Sequence, residues 1–225
     1  MTGVVEYAEP RELSEEKQHS SKSVVESDPE KIPDFAGEDY VVLNDNMPAF
    51  NEWDLENISG ENYSDLDRLD RCGTAVAMLH QSMMPTEERG EIGQIKPSGW
   101  KQAKYSGYVE SKPPYLYNRC HLIAYALTGQ NANEKNLITG TRYMNATTML
   151  PFEMEVMKYL DHSDNHVLYR VTPYFKDKEL LARGVEIEAY SVEDNGEGVC
   201  FHVFVYNVQP GIEIDYLTGE SKVKT

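Results

Sequence analysis

Tyr115-Leu116-Tyr117-Asn118-Arg119-Cys120-His121-Leu122-Ile123, followed about two dozen residues on by Thr139-Gly140-Thr141-Arg142-Tyr143-Met144-Asn145, is the part of the chain on which the fold turns. The first run is rich in aromatic and apolar residues and reads as a short strand that delivers one histidine at its end. From Thr147 the period changes. Met149, Phe152, Val156 and Leu160 recur at helical spacing, so one face of a helix points at a core. Pro151 is tolerated only in a first turn, which places the start of the regular helix near Thr148, and Asp161-His162-Ser163-Asp164-Asn165 ends it.

Outward from this centre the chain reads as strand and turn. Asp39–Phe50 predicts a strand followed by an Asn/Pro turn, and Thr74–His80 a central strand. Trp53–Tyr63 reads as irregular, Met83–Gly90 as a turn, and Trp100–Tyr108 as a strand face carrying Lys101 and Lys104. Downstream, Val167–Phe175 and Val185–Val192 alternate, Asn195-Gly196 signals a turn, and Cys200–Val208 and Ile212–Tyr216 complete an antiparallel sheet. Strands flanking one main helix predict an α+β fold with an antiparallel sheet.

With 225 residues, 40% of them hydrophobic, the chain can build one sizeable core plus a tail. The net charge is −17, but residues 1–70 hold 19 acidic against 5 basic residues, leaving 19 against 16 in the remainder. The acidity therefore sits at the front. Residues 1 to about 33 offer few apolar groups to offset the entropy of ordering, and read as a flexible tail or linker. The overall sign weighs against a polyanionic partner, so any nucleic-acid contact requires a local basic patch. No apolar run approaches the roughly 20 residues of a membrane span. The acidic start lacks the apolar region of a signal peptide, which fits either a protein kept inside the cell or a form whose leader has been removed. Cys72, Cys120 and Cys200 have no CxxC spacing, so they read as small apolar residues rather than as a disulfide framework or zinc site.

Four side chains in the central stretch suit phosphodiester hydrolysis. That reaction needs a deprotonated water, neutralisation of charge on phosphorus and stabilisation of the leaving oxygen. His121 fits the base, because imidazole titrates near neutrality. Asn145 offers a neutral amide oxygen for a hard cation such as Mg²⁺. On a regular helix Glu153, eight residues on, stands about 12 Å along and about 80° around from Asn145, so it is better placed to hold a metal-bound water than to share the ion. Arg142, three residues before Asn145, is placed to stabilise transition-state charge. Each has a plainer reading: a buried hydrogen-bonded ring for His121, a cap for Asn145, a surface charge for Glu153 and a surface ion pair for Arg142. Cys120 and His121 form no dyad, since adjacent strand residues point to opposite faces.

The run Asn118-Arg119-Cys120-His121, with Asn145 and then Glu153, resembles the DNA/RNA non-specific endonucleases of the ββα-metal type, and among them the streptococcal-type secreted DNases. Tyr40–Asn46, Pro97-Ser98-Gly99-Trp100 and Val199–Gly211 are similar to that family as well, and the likeness covers roughly residues 38–220. The resemblance implies a ββα-metal nuclease domain over 38–225 behind an acidic tail, 1–37. It implies that His121 activates water, that Asn145 is the direct protein ligand of one Mg²⁺, with Mn²⁺ as a substitute, and that Glu153 acts through water. It further implies that Arg142 and Arg119 contact phosphate, that the substrate is DNA or RNA, that product ends carry 5′-phosphate, and that the protein is secreted. Asn118 stands where the family pattern has Asp, and Cys120 where it has Gly. The competing expectations are a non-catalytic nucleic-acid or protein-binding module on the same scaffold, and a phosphodiesterase of small nucleotides.

Overall fold

The computed structural model describes residues 32–225. The tail expected over 1–37 lies outside the described residues except for its last six. There the Tyr206 hydroxyl donates to the Pro33 carbonyl, and Phe35 packs edge-on against the Tyr206 ring.

Six antiparallel strands form the main sheet: β1 (Tyr40–Val42), β2 (Glu61–Tyr63), β3 (Ala75–Leu79), β6 (Val167–Tyr174), β7 (Gly184–Ser191) and β8 (Cys200–Tyr206), in the order β1-β8-β7-β6-β3-β2. Alternation along the strands sorts the side chains. Ala75, Ala77, Tyr169, Val171, Ile187, Ala189, Val203 and Val205 are buried in one core cluster. Against that face lies α3 (Leu150–Asp161), whose Val156 and Leu160 reach 0% exposure. The other face carries a smaller cluster of Leu43, Phe204 and Tyr206, and beside it Arg170, Glu188 and His202.

Two ribbons stand apart from the sheet. β4 (Tyr117–His121) pairs with β5 (Leu137–Thr141), and β9 (Ile212–Ile214) with β10 (Ser221–Val223). The antiparallel α+β fold is therefore as the sequence implies, but Ile212–Tyr216 does not extend the main sheet. Pro210 has no N–H for a ladder, and Gly211 at φ 75° turns the chain away after β8. Trp53–Tyr63 is more ordered than expected. Asn51 caps α1 (Glu52–Asn57) through a reciprocal bond pair with Asp54, and β2 follows. Trp100–Tyr108 is not a strand; besides one bridge between Lys104 and Tyr115, it is tied to the ribbon by the Gln102 side chain, which bonds both the N–H and the carbonyl of Tyr117. All three cysteines are free thiols, with Cys72 and Cys120 buried.

Candidate functional site

The β4–β5 ribbon is fastened to the main sheet by the segment leaving β8. The Asn207 carboxamide accepts from Thr141 N at 2.8 Å and donates to the Thr139 and Ala182 carbonyls at 3.0 and 2.9 Å. Gln209 does the same one step further on, accepting from Tyr143 N at 3.2 Å and donating to the Tyr108 carbonyl at 2.8 Å. A further clamp secures the turn after His121: buried Asn136 bonds both the N–H and the carbonyl of Ile123 at 2.9 Å. These bonds are made by buried amides, so the ribbon is held at fixed height over the sheet.

β5 runs almost directly into helix. Met144–Thr148 winds as a π-helical turn, with Met149 N donating to the Met144 carbonyl at 2.9 Å, and α3 follows with Pro151 in its first turn. A wide turn advances fewer degrees per residue than a regular one, so it removes part of the about 80° offset that a uniform helix puts between Asn145 and Glu153. Single π turns of this kind concentrate at functional positions.

His121 ends β4 opposite Leu137 and is 6% exposed. Its Nε2 lies 2.9 Å from the Asn131 carbonyl, and its Nδ1 3.1 Å from Arg89 Nη2. A carbonyl only accepts and a guanidinium only donates, so Nε2 carries the proton and Nδ1 holds the free lone pair. Burial pushes the pKa of the ring down to about 4 against the pull of the Asn131 carbonyl, and the Arg89 charge adds to the depression. The imidazole is neutral at physiological pH. Cys120 points the other way, its sulfur 3.6 Å from the Met149 sulfur in the core.

Glu153 is 9% exposed, in the first turn of α3. Burial raises its carboxyl to about 7, against the opposing charge of Arg89. Arg89 thus acts by its charge on both the histidine and the glutamate. It was not legible in the sequence: one arginine in a Pro- and Gly-bounded turn has no period and no motif to mark it. Tyr125 helps hold that turn, its hydroxyl donating to the Glu87 carbonyl at 2.8 Å.

Arg119, Arg142 and Asn145 share an open groove of about 580 Å³ with Arg89, Trp100 and Tyr115. His121 and Glu153 do not line it; Arg89 does, and it bonds the His121 ring. Arg119 is braced: Nη2 donates to the Gly93 carbonyl at 2.6 Å, Nε donates to Ile95, and the guanidinium stacks 4.3 Å over Trp100. Lys104, expected on a strand face, sits 4.8 Å over the Tyr115 ring at the groove edge. Among the described residues, neither the Arg142 guanidinium nor the Asn145 carboxamide nor the Glu153 carboxylate has a side-chain hydrogen-bond partner. An amide oxygen and a carboxylate without partners are the hard donor types that Mg²⁺ takes, directly or through its waters, so these residues fit such an ion in kind. A second group of ligand types, Glu186, Glu188 and His202, has donor atoms within 4.8 Å of one another. It lies on the far face of the sheet, and its atoms are engaged: Glu188 by Arg170 Nε at 2.6 Å and Ala49 N at 2.7 Å, His202 by the Met47 carbonyl at 3.0 Å and Glu186 at 2.5 Å. Its arrangement is that of a buried ion network.

Known proteins share this architecture. Residues 53–193 match the family described as DNA/RNA non-specific endonuclease. A deoxyribonuclease of Streptococcus dysgalactiae subsp. equisimilis is 34% identical over 111 residues, which is 47% of this chain and 32% of the relative, so the chain spans about a third of that protein's length. NucA from Streptococcus agalactiae, solved with a magnesium ion bound, superposes at TM-score 0.70 and 27% identity, over 81% of this chain and 87% of NucA. Sda1 nuclease, solved with a bound zinc ion, superposes at 0.62 and 27% identity, over 74% of this chain and 83% of Sda1.

Proposed function

This chain belongs to the DNA/RNA non-specific endonuclease family, and from that membership we propose that it is a metal-dependent endonuclease hydrolysing the phosphodiester bonds of DNA, with RNA as a second polymer substrate. The observation that carries the reading is the state of His121: a neutral ring, its Nε2 proton tied to a backbone carbonyl and its Nδ1 lone pair turned toward Arg89 beside the groove.

His121 is the general base, and Nδ1 takes the proton from the attacking water. In the resting protein Arg89 caps that nitrogen. An entering phosphate is the stronger acceptor for a guanidinium, so substrate draws Arg89 off Nδ1 and frees the base. Arg142, without another partner among the described residues, stabilises the charge that grows on the phosphoryl oxygens. Arg119 has one terminal nitrogen unused after bracing itself on Gly93 and Ile95, and offers it to a neighbouring phosphate. Asn145 would hold Mg²⁺, or Mn²⁺ in its place, through its amide oxygen, and Glu153 would act on it through water. When bound, the ion supplies neutralisation of the phosphate and of the leaving 3′ oxygen, leaving 5′-phosphate ends.

The domain proposed for this activity is 38–225, with 1–37 as an acidic tail. Export is also proposed, on the resemblance to secreted nucleases; among the described residues no helix is long and apolar enough to cross a membrane. Incubation with supercoiled plasmid and Mg²⁺ should give nicked and linear forms, which excess EDTA stops and His121→Ala abolishes while the circular dichroism spectrum is retained. Nicking in excess chelator would remove the metal from the mechanism. Absence of nicking by the wild type under all metals would favour the non-catalytic binding module, and cleavage of a dinucleotide ester alone would favour a small-nucleotide phosphodiesterase.

A further inference from the structure

Next to the groove, and joined to it through Arg142, is a second recess of about 410 Å³ lined by Tyr108, Glu110, Tyr143, Ala146, Thr147 and Pro210, with Gln209 at its base. We propose that this recess is a subsite for one unpaired nucleobase next to the scissile phosphate, with Tyr108 as its stacking platform. The inference rests on the endonuclease reading and deepens it: the preferred substrate is a single or locally unpaired strand.

The walls favour a base over a second phosphate. Tyr108 is 43% exposed, a large amount for an aromatic ring beside a polar groove. Its ring is nevertheless fixed. It packs on Gly211, where an added Cβ would come within 2.6 Å of the ring, and its carbonyl is held by Gln209 at 2.8 Å. Gly211 abuts the Cδ1–Cε1 edge of the ring, so the ring is braced along that edge and stacking on a face costs it little conformational freedom. Tyr143 is fixed too, its hydroxyl donating to Asp39 at 2.8 Å. Glu110 repels an anion at the rim. Gln209 uses one donor and one acceptor of its amide on the backbone of Tyr108 and Tyr143 and is only 5% exposed, so it offers little to a base edge. Stacking on a π-face serves every base alike, which suits cleavage without sequence preference. A base stacked within a duplex is out of reach of such a platform unless it is first unstacked.

The probe is a short single strand carrying 2-aminopurine, a fluorescent adenine analogue dimmed by stacking, titrated with the full chain in EDTA so that binding is read without cleavage. Wild type and Tyr108→Phe should quench the emission; Tyr108→Ala should not, and its affinity should fall about tenfold, within the range that one base–aromatic stack supports. The same oligonucleotide annealed to its complement should bind more weakly than the single strand. In Mg²⁺, the KM of Tyr108→Ala for single strands should rise by a similar factor, and an abasic nucleotide beside the cleaved bond should weaken the wild type but not the variant. Equal quenching by wild type and Tyr108→Ala, or equal affinity for single strand and duplex, would overturn the subsite. Quenching and discrimination without any cleavage would leave the subsite standing and sink the endonuclease reading instead.

Discussion

Glu153→Gln should make the metal-free protein more stable, by a margin that grows as the pH rises from 4.5 to about 7. The carboxyl sits at about 7 when folded, against 4.5 for the ordinary side chain, because burial penalises the anion. A carboxyl raised on folding contributes its full stability below 4.5 and loses it as pH rises through 7. Each pH unit of that interval is worth about 1.4 kcal/mol, so holding the anion in place at pH 8 costs about 3 kcal/mol as an upper bound. Glutamine keeps the shape of the protonated acid at every pH and escapes the cost. For a domain of this size each kcal/mol moves the melting temperature by about 2–4 °C, so the variant should melt roughly 6–12 °C above wild type at pH 8. At pH 5, half a unit above the ordinary value of 4.5, the gap should shrink to about 1–3 °C. Thermal unfolding in EDTA at both pH values measures this, and Mg²⁺ should narrow the pH 8 gap by stabilising the wild type more. Equal melting temperatures at pH 8, or the same gain at both pH values, would refute the idea that an ionised, strained Glu153 is kept for binding a cation. Plasmid cleavage by the variant should be lost, the usual exchange of stability for activity at such a position.

Asn145→Ala should abolish the rise in melting temperature that Mg²⁺ gives the wild type while leaving the metal-free melting curve in place; an undiminished Mg²⁺ shift would place the ion elsewhere. Arg170→Ala strips Glu188 of its 2.6 Å partner on the far face of the sheet, and should lower stability by about 1–3 kcal/mol, since a buried carboxylate is left short of a donor. Cleavage at 25 °C should stay within about twofold of wild type; a collapse of activity without a change in melting temperature would couple that network to the site.

The parts of this fold with a strict period were legible in sequence. β6 and β7 carry alternating stretches, β8 is a run of strand-forming apolar residues buried almost throughout, and α3 shows its buried stripe and its early proline. That His121 ends a strand, and that Arg142 and Asn145 stand around the start of a helix, was legible from the change of period along the chain. The groove itself was not. Its far wall is a stretch without period between β3 and β4, folded by side chains of distant elements that bond its carbonyls, such as Arg119 on Gly93 and Thr139 on Ser98. Arg89 arrives at His121 by that route, and no local preference encodes it. The π turn was hidden for a related reason: Met144-Asn145-Ala146-Thr147-Thr148 has no propensity against a regular helix. What enforces the wide turn lies outside it, in the clamp of Tyr143 N by Gln209 and of Met144 N by the Thr141 hydroxyl at 3.0 Å.

Cys120 occupies a position where the family pattern has glycine, and the structure gives the physical condition for it. Gly140 of β5 lies beside it across the ribbon, and a Cβ on Gly140 would come within 2.6 Å of the Cys120 Cβ and 2.8 Å of the Met144 methyl. Gly140 pairs with Asn118, one diagonal step from Cys120, so a Cβ on Gly140 would have to displace the Cys120 side chain. Gly140→Ala should therefore cost about 1–3 kcal/mol through overpacking, in addition to displacing the ribbon that presents His121. Cys120→Gly alone should cost about 1 kcal/mol or more, from the lost packing on Met149. The double variant should recover much of the first loss, because the Met144 methyl is the end of a flexible chain and yields where a backbone-anchored Cβ cannot. A double-mutant cycle on melting temperature and on plasmid nicking should show a coupling of at least about 1 kcal/mol. Strict additivity would mean that the ribbon relaxes around the clash, and that the height of His121 over the groove is set elsewhere than by the contact between these two strands.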